Sequence, residues 1–292
     1  CVLLGATIIV ALGIFDDVLA LGAKLKFIVQ IIAAAIPVCV GGLQIRLFTN
    51  LNPFSDAPFW HLGFLAVPVT ILWIVGITNE VNLIDGLDGL AVGVSSIAAI
   101  TMLAVALLTD NMAIDITMAA LTGACIGFMP YNLNPAKIFM GDTGSTFLGY
   151  MLATVSIMGL FKFYAVISFA VPFLILGLPI FDTANAIIRR LAEGRSPMSP
   201  DRGHVHHKLI DMGFNQKQAV AILYAISATL GLTAVVLTSS GEVKAVVLLA
   251  AVLAAILVGA CIIYGAEHWG KHPQEQKKHK NEAAQEEKNK HE

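Results

Sequence analysis

Eight stretches of this chain, roughly 25–45, 63–82, 89–108, 112–131, 143–160, 164–187, 218–238 and 243–264, are 18 to 24 residues long and carry at most one charged residue each. A helix needs about 20 such residues to cross a hydrocarbon core ~30 Å thick. In that solvent only helices and closed barrels can satisfy their own backbone. A ninth apolar run, 1–13, is shorter. It opens on Cys1 in mid-run and lacks the charged start of a signal peptide. It is expected to be the end of a longer helix in an N-terminally truncated chain. The expected fold is all-α, a polytopic transmembrane helix bundle of about nine spans. Residues 1–264 form the membrane domain and 265–292 a charged tail, read as a solvated helix or a disordered end.

Composition agrees. Hydrophobic residues make up 57% of the 292 and charged residues 13%, about half the ~25% of soluble domains. The last 28 residues hold 12 of the 38 charges, so the body is poorer still. This excludes a soluble domain, a disordered chain and a nucleic-acid binder with a broad basic face. Cys1, Cys39, Cys125 and Cys261 lie scattered in apolar sequence, without metal or disulfide spacing, and read as small hydrophobes.

Nine spans alternate sides. Loops 14–26, 80–90, 132–142, 188–217 and the tail then share one side, and they hold 15 of the 18 Lys and Arg residues. The other side has Arg46, Lys162 and Lys244. The positive-inside rule makes the first side cytoplasmic, with 188–217 its largest loop.

The chain's polar chemistry gathers on that side. Asp16 and Asp17 are expected in the first loop, Asp85 and Asp88 in VNLIDGLDGL, Asp142 in IFMGDTGS and Asp182 in LPIFDTAN. Ionisable groups beside membrane spans are costly and usually functional. Six carboxylates at one depth repel unless cations or donors compensate, and a divalent ion is the economical answer. Oxygen ligands of this kind suit Mg²⁺, which takes one or two carboxylates plus substrate phosphates. If 82–88 is helical, Asn82, Asp85 and Asp88 share one face, and Gly86 and Gly89 let a ligand approach the backbone. Asp142 reads either as a helix N-cap or as a metal carboxylate beside free N–H groups that bind phosphate. His204, His206 and His207, next to Arg202 and Lys208, read as donors to a diphosphate. A zinc site would need a fourth ligand, and no Cys is near.

Five segments carry a resemblance: FDD at 15–17, NEVNLIDGLDGLAVG at 79–93, YNLNPAKIFMGDTGS at 131–145, PIFDT at 179–183 and GHVHHKL at 203–209. In this order and length they resemble the polyprenyl-phosphate N-acetylhexosamine-1-phosphate transferases, membrane enzymes that include the MraY, WecA and TagO types. The HVHH form looks most like the GlcNAc-transferring members. The resemblance implies transfer of GlcNAc-1-phosphate from UDP-GlcNAc to undecaprenyl phosphate, with UMP leaving, at the cytoplasmic leaflet of a bacterial plasma membrane. This would be the first membrane step of an envelope polysaccharide. It implies Mg²⁺, with Mn²⁺ as the alternative ion. It makes Asp142 a metal ligand helped by Asp17, and Asp16 and Asp17 the catalytic pair. Asn82, Asp85, Asp88, Asn132, Arg202, His204, His206 and His207 become substrate-binding. Partners are the UDP-sugar, the lipid acceptor and membrane lipids, with no nucleic acid. Members can dimerise, but no sequence signature for a homodimer stands out. Family members usually have two further N-terminal spans.

Three other readings compete. A phospho-MurNAc-pentapeptide transferase keeps the family and changes the sugar. A secondary transporter would place its acids near the bilayer midplane in two similar halves, whereas here they lie at span ends and no repeat is evident. A non-catalytic scaffold relative would have lost acids from one or more motifs.

Overall fold

The computed structural model describes residues 1–49, 59–108, 112–159, 166–194 and 203–239. Ten α-helices occupy most of the described residues: α1 Val2–Leu19, α2 Ala23–Ala35, α3 Ala66–Leu83, α4 Leu90–Leu107, α5 Met112–Asn132, α6 Gly141–Gly159, α7 Val166–Ile175, α8 Gly177–Ala192, α9 Val205–Asp211 and α10 Gln216–Ser239. A wider helical turn, Ile36–Val40, lengthens α2. Among the described residues, six helices are long and apolar enough to cross a membrane: α1, α2 with its extension, α3, α4, α5 and α10. The chain is an all-α integral membrane bundle. The expected span 243–264 and tail 265–292 lie outside the described residues.

Helix α6 sits at the centre. It buries 12 of its 19 residues, Ser145, Thr146, Thr154 and Ser156 among them, and packs against α1 and α3. Glycine makes both contacts close. A Cβ at Gly13 of α1 would fall into the backbone of Thr143, and one at Gly149 would lie 2.7 Å from Thr78 Cα on α3. Without a hydrophobic force between helices in lipid, such small-residue contacts are what bring backbones together. Helix α4 is the other core element, 72% buried, whereas α5 is 22% buried and turns most of its surface outward.

Four expectations change. Asp16 and Asp17 are not in a loop: α1 runs on past its apolar stretch and holds both in its last turns. The helix stops only at Ala20, where φ is 49°. Asp16 Oδ1 takes up the next backbone N–H, that of Leu21, at 2.8 Å. Second, residues 84–89 are turns and not helix, so Asp85 and Asp88 do not share a helical face. Gly89, at φ 80°, opens α4 in a conformation that a side chain would strain. Third, the stretch 164–187 divides into α7 and α8, which breaks at Leu176 and continues to Ala192. Fourth, a short antiparallel pair, β1 Leu47–Thr49 and β2 Phe59–His61, pairs Leu47 with His61 between α2 and α3.

Candidate active site

The end of α1, the start of α2 and the start of α6 meet at one corner. Gly141 enters α6 at φ 64°. A helix start leaves N–H groups without intrahelical partners. Here a carboxylate from another helix supplies them. Asp17 Oδ1 accepts from Asp142 N at 2.8 Å. Its Oδ2 accepts from Thr143 N at 3.2 Å and from Thr143 Oγ1 at 2.6 Å. The free N–H groups expected there for phosphate are therefore engaged by Asp17, at least for Asp142 and Thr143. A negative charge at a helix N-terminus is favourable, which explains why an acid is tolerated beside α6.

Asp142 caps nothing with its own side chain. Oδ2 accepts from Lys26 Nζ at 3.0 Å and Oδ1 from Asn82 Nδ2 at 3.0 Å. The same Asn82 amide reaches Ser145 Oγ at 2.8 Å. Lys26 Nζ also binds Asp16 Oδ2 at 2.7 Å. One ammonium thus bridges the buried Asp16 and the half-exposed Asp142. It meets part of the charge compensation that the sequence assigned to a divalent ion.

Asp85 stands near this corner without a fixed partner among the described residues. Burial pushes its carboxyl up to about 6, and the charges of Asp142 and Asp88 add to the shift. Crowded carboxylates of this kind favour either a proton or a cation. No group of three or more His, Cys, Asp or Glu side chains placed for one ion occurs among the described residues. That does not suit zinc, which wants three or four protein ligands, mostly of N and S type. Asp85 and Asp142 do fit an ion that takes one or two carboxylates and completes its shell with waters and phosphates. Both oxygens of Asp17 hold α6, and Oδ1, which accepts one hydrogen bond, keeps capacity for a second partner.

Asp88 and Asn132 serve the neighbouring loop, 133–140. Asp88 Oδ2 accepts from Asn134 Nδ2 at 3.0 Å and Ala136 N at 3.1 Å. Asn134 also donates to Gln216 Oε1 at 2.8 Å, at the start of α10. Asn132 bridges Gly89 N, at 3.2 Å, and Ile138 O, at 2.9 Å. Tyr224 on α10 donates a short hydrogen bond to Gly89 O. Both residues shape the approach to the corner and do not point freely into it.

The histidine segment closes the other flank. His204 Nδ1 lies 3.0 Å from Asp182 Oδ2, and Val205 N donates to Asp182 Oδ1 at 2.8 Å. His204 and His206 are both buried and their rings stack, with centroids 5.8 Å apart. His207 packs against His206 at 4.2 Å. His206 lies over Gly86, where a Cβ would come within 2.6 Å of its Nε2. This joins the HVHH segment to the turn that carries Asp85. Burial drives His206 down to about 4, helped by the charge of His207 and opposed by Asp182. Arg202 lies outside the described residues. Sequence reasoning missed Lys26 and Thr143, and it noted Asp182 without giving it a place in the site.

Residues 1–160, α1 through α6, match glycosyl transferase family 4. The chain belongs to that family. It is 44% identical over 236 residues, 81% of its length, to a probable undecaprenyl-phosphate N-acetylglucosaminyl 1-phosphate transferase of Bacillus subtilis. It is 35% identical over 245 residues, 76% of its length, to a decaprenyl-phosphate N-acetylglucosaminephosphotransferase of Mycolicibacterium smegmatis. The match spans 65% of the Bacillus protein and 59% of the mycobacterial one. A phospho-N-acetylmuramoyl-pentapeptide-transferase of Staphylococcus haemolyticus is 34% identical over 238 residues, 76% of this chain and 70% of that one. In this glycosyl transferase family 4 member, α7 to α10 and the histidine segment lie beyond the residues that the family match covers.

Proposed function

We propose that this protein transfers GlcNAc-1-phosphate from UDP-GlcNAc to undecaprenyl phosphate at the cytoplasmic face of a bacterial plasma membrane. An oxygen of the lipid phosphate bonds to the phosphorus next to the sugar. The bond from that phosphorus to the bridging oxygen breaks, and UMP leaves with the electron pair. The observation that carries the reading is the corner itself: Asp16, Lys26, Asn82 and Asp142, from four separate elements, converge within hydrogen-bond distance. The names of the Bacillus and mycobacterial relatives supply the chemistry.

The chain's own residues would act as follows. Lys26 is the cation between two carboxylates and can turn to an arriving phosphate. Asp16, anchored by Leu21 N and Lys26, orients that phosphate. Asp17 keeps the start of α6 fixed, so that Asp142 stays in place. Asp85 and Asp142 would hold Mg²⁺. When bound, the ion would neutralise charge on phosphate oxygens as the leaving group departs. The histidine flank would bound the donor.

The test uses purified full-length protein in detergent with undecaprenyl phosphate, Mg²⁺ and radiolabelled UDP-GlcNAc. UDP-MurNAc-pentapeptide is offered in parallel. GlcNAc-lipid should form, stop on chelation, and fall roughly 10²–10³-fold in Asp142→Asn, the scale for losing one group that stabilises developing charge. Transfer of the pentapeptide sugar alone would replace the donor assignment. Transfer from neither donor would sink the reading.

A further inference from the structure

Asp182 is almost fully buried, 3% exposed, on the inner face of α8. Its two oxygens serve two different donors in a segment more than twenty residues away. Oδ1 takes the first backbone N–H of α9 and Oδ2 faces His204 Nδ1. A buried carboxylate needs such donors. This pair also has a chemical consequence. With Oδ1 committed to a backbone N–H, Oδ2 is an acceptor, so the nitrogen it faces must carry the hydrogen. The proton of neutral His204 is then on Nδ1. Nε2, which makes no hydrogen bond to another described residue, keeps its lone pair. A half-turn of the ring would keep the stack on His206 but would lose the Asp182 contact, so that contact alone sets which way round the ring sits.

We propose that Asp182 is a positioning residue, which fixes the tautomer and orientation of His204 so that Nε2 is the ring atom presented to the sugar-nucleotide. A carboxylate that holds a histidine in this way sets which nitrogen does the work, and the wrong tautomer is costly even where the geometry is kept. Glu80 on α3 is a second carboxylate within electrostatic reach of Asp182. It makes no hydrogen bond through Oε2 among the described residues. No hydrogen bond joins Glu80 to His204 among the described residues, and Asp182 is the carboxylate that His204 faces.

Asp182→Asn separates this role from packing. The amide is nearly the same size. Its oxygen can keep Val205 N, but its NH₂ then faces Nδ1 and forces the proton onto Nε2. The rate consequence rests on the transfer reading; the tautomer does not. The first measurement is therefore nitrogen NMR of full-length protein with ¹⁵N-labelled histidine and no substrate, assigned by the loss of one signal in His204→Gln. Wild type should show Nδ1–H at His204 and Asp182→Asn should show Nε2–H, with the melting temperature held within a few degrees. The same tautomer in both proteins overturns the proposal, whatever the transfer assay gives. In the assay, Asp182→Asn should lower transfer roughly 10²–10⁴-fold, and Asp182→Glu should restore part of it. In a His204→Gln background, Asp182→Asn should cost nothing further. Losses that simply multiply would mean that Asp182 acts apart from His204, and would equally overturn it.

Discussion

Asp17 and Asp182 have the same local task in different surroundings. Each reaches from one helix to the start of another, takes up backbone N–H there (two for Asp17, one for Asp182), and adds one side-chain donor: Thr143 Oγ1 for Asp17, His204 Nδ1 for Asp182. Asp17 is exposed, at a corner where Lys26 and Asp142 are about a third exposed. Asp182 and His204 are buried. The difference is one of exchangeability. At the open corner, water or a phosphate can replace a partner at little cost. In the buried pair, the loss of one partner strands the other. The open corner is built for partners that come and go, and the buried flank for a geometry that stays.

The sharpest way to break this comparison is to remove the cation from the open side. Asp16 and Asp142 bind the same nitrogen at 2.7 and 3.0 Å. Lys26→Met therefore leaves two carboxylate oxygens no more than ~6 Å apart without compensation. Because the site is partly solvated, the expected stability loss is only ~1–2 kcal/mol. Transfer should fall about a hundredfold if Lys26 also meets a phosphate. The informative reading is thermal stability against Mg²⁺. The ion should raise the melting temperature of Lys26→Met by more than that of wild type, because it takes over the position of the ammonium. A melting temperature that Mg²⁺ leaves unmoved in both proteins would remove the ion site from this corner.

The buried side should answer to acid instead. His206 in the fold sits near 4, below the free imidazole near 6.5. A locally opened α9 therefore takes up a proton more readily than the closed one. Its closed state is fully favoured above about 6.5 and loses ground as pH falls toward 4. Opening should rise about tenfold per pH unit in that window. Hydrogen exchange at the amides of α9, corrected for intrinsic rates, would measure this against exchange in α4. His206→Gln should flatten the slope. An unchanged slope in that variant would assign the acid response to His204, His207 or Asp182.

The same contrast explains what the sequence disclosed. The helices were legible because an uncharged run of about 20 residues has few alternatives in a membrane. Asp142 was legible because it stands in a long motif at a helix start. The end of α1 was not. The apolar pattern stops before Phe15-Asp16-Asp17, and the helix continues because Lys26, 10 residues from Asp16, and the N-terminus of α6, 125 residues from Asp17, hold the acids. Lys26 looked like a marker of sidedness, since nothing local distinguishes it from Lys24. The i, i+3 spacing of Asp85 and Asp88 suggested one helical face, but Gly86 and Gly89 favour the turns that the chain adopts. Asp182 was visible as an acid in a span, yet its partner follows 22 residues later, where no periodicity connects them.

The smallest expected effect lies between the two regions. The loop 133–140 borders the open corner and is tied to α10, which follows directly from the histidine flank. Gln216 makes that tie through Asn134, and Asn134 in turn holds Asp88. Gln216→Ala removes one partly solvated hydrogen bond, which costs ~0.5–1 kcal/mol. Asp88 keeps Ala136 N and the remaining Asn134 contact, so the loop loosens without collapsing. The KM for the sugar-nucleotide should therefore rise severalfold while kcat holds, the signature of lost binding common to ground and transition states. Lys217→Ala, on the exposed neighbour, should change neither. A fall in kcat at constant KM would place this loop in the chemistry of the open corner. The division would then run between α9 and α10, and no longer between an exchangeable corner and a fixed flank.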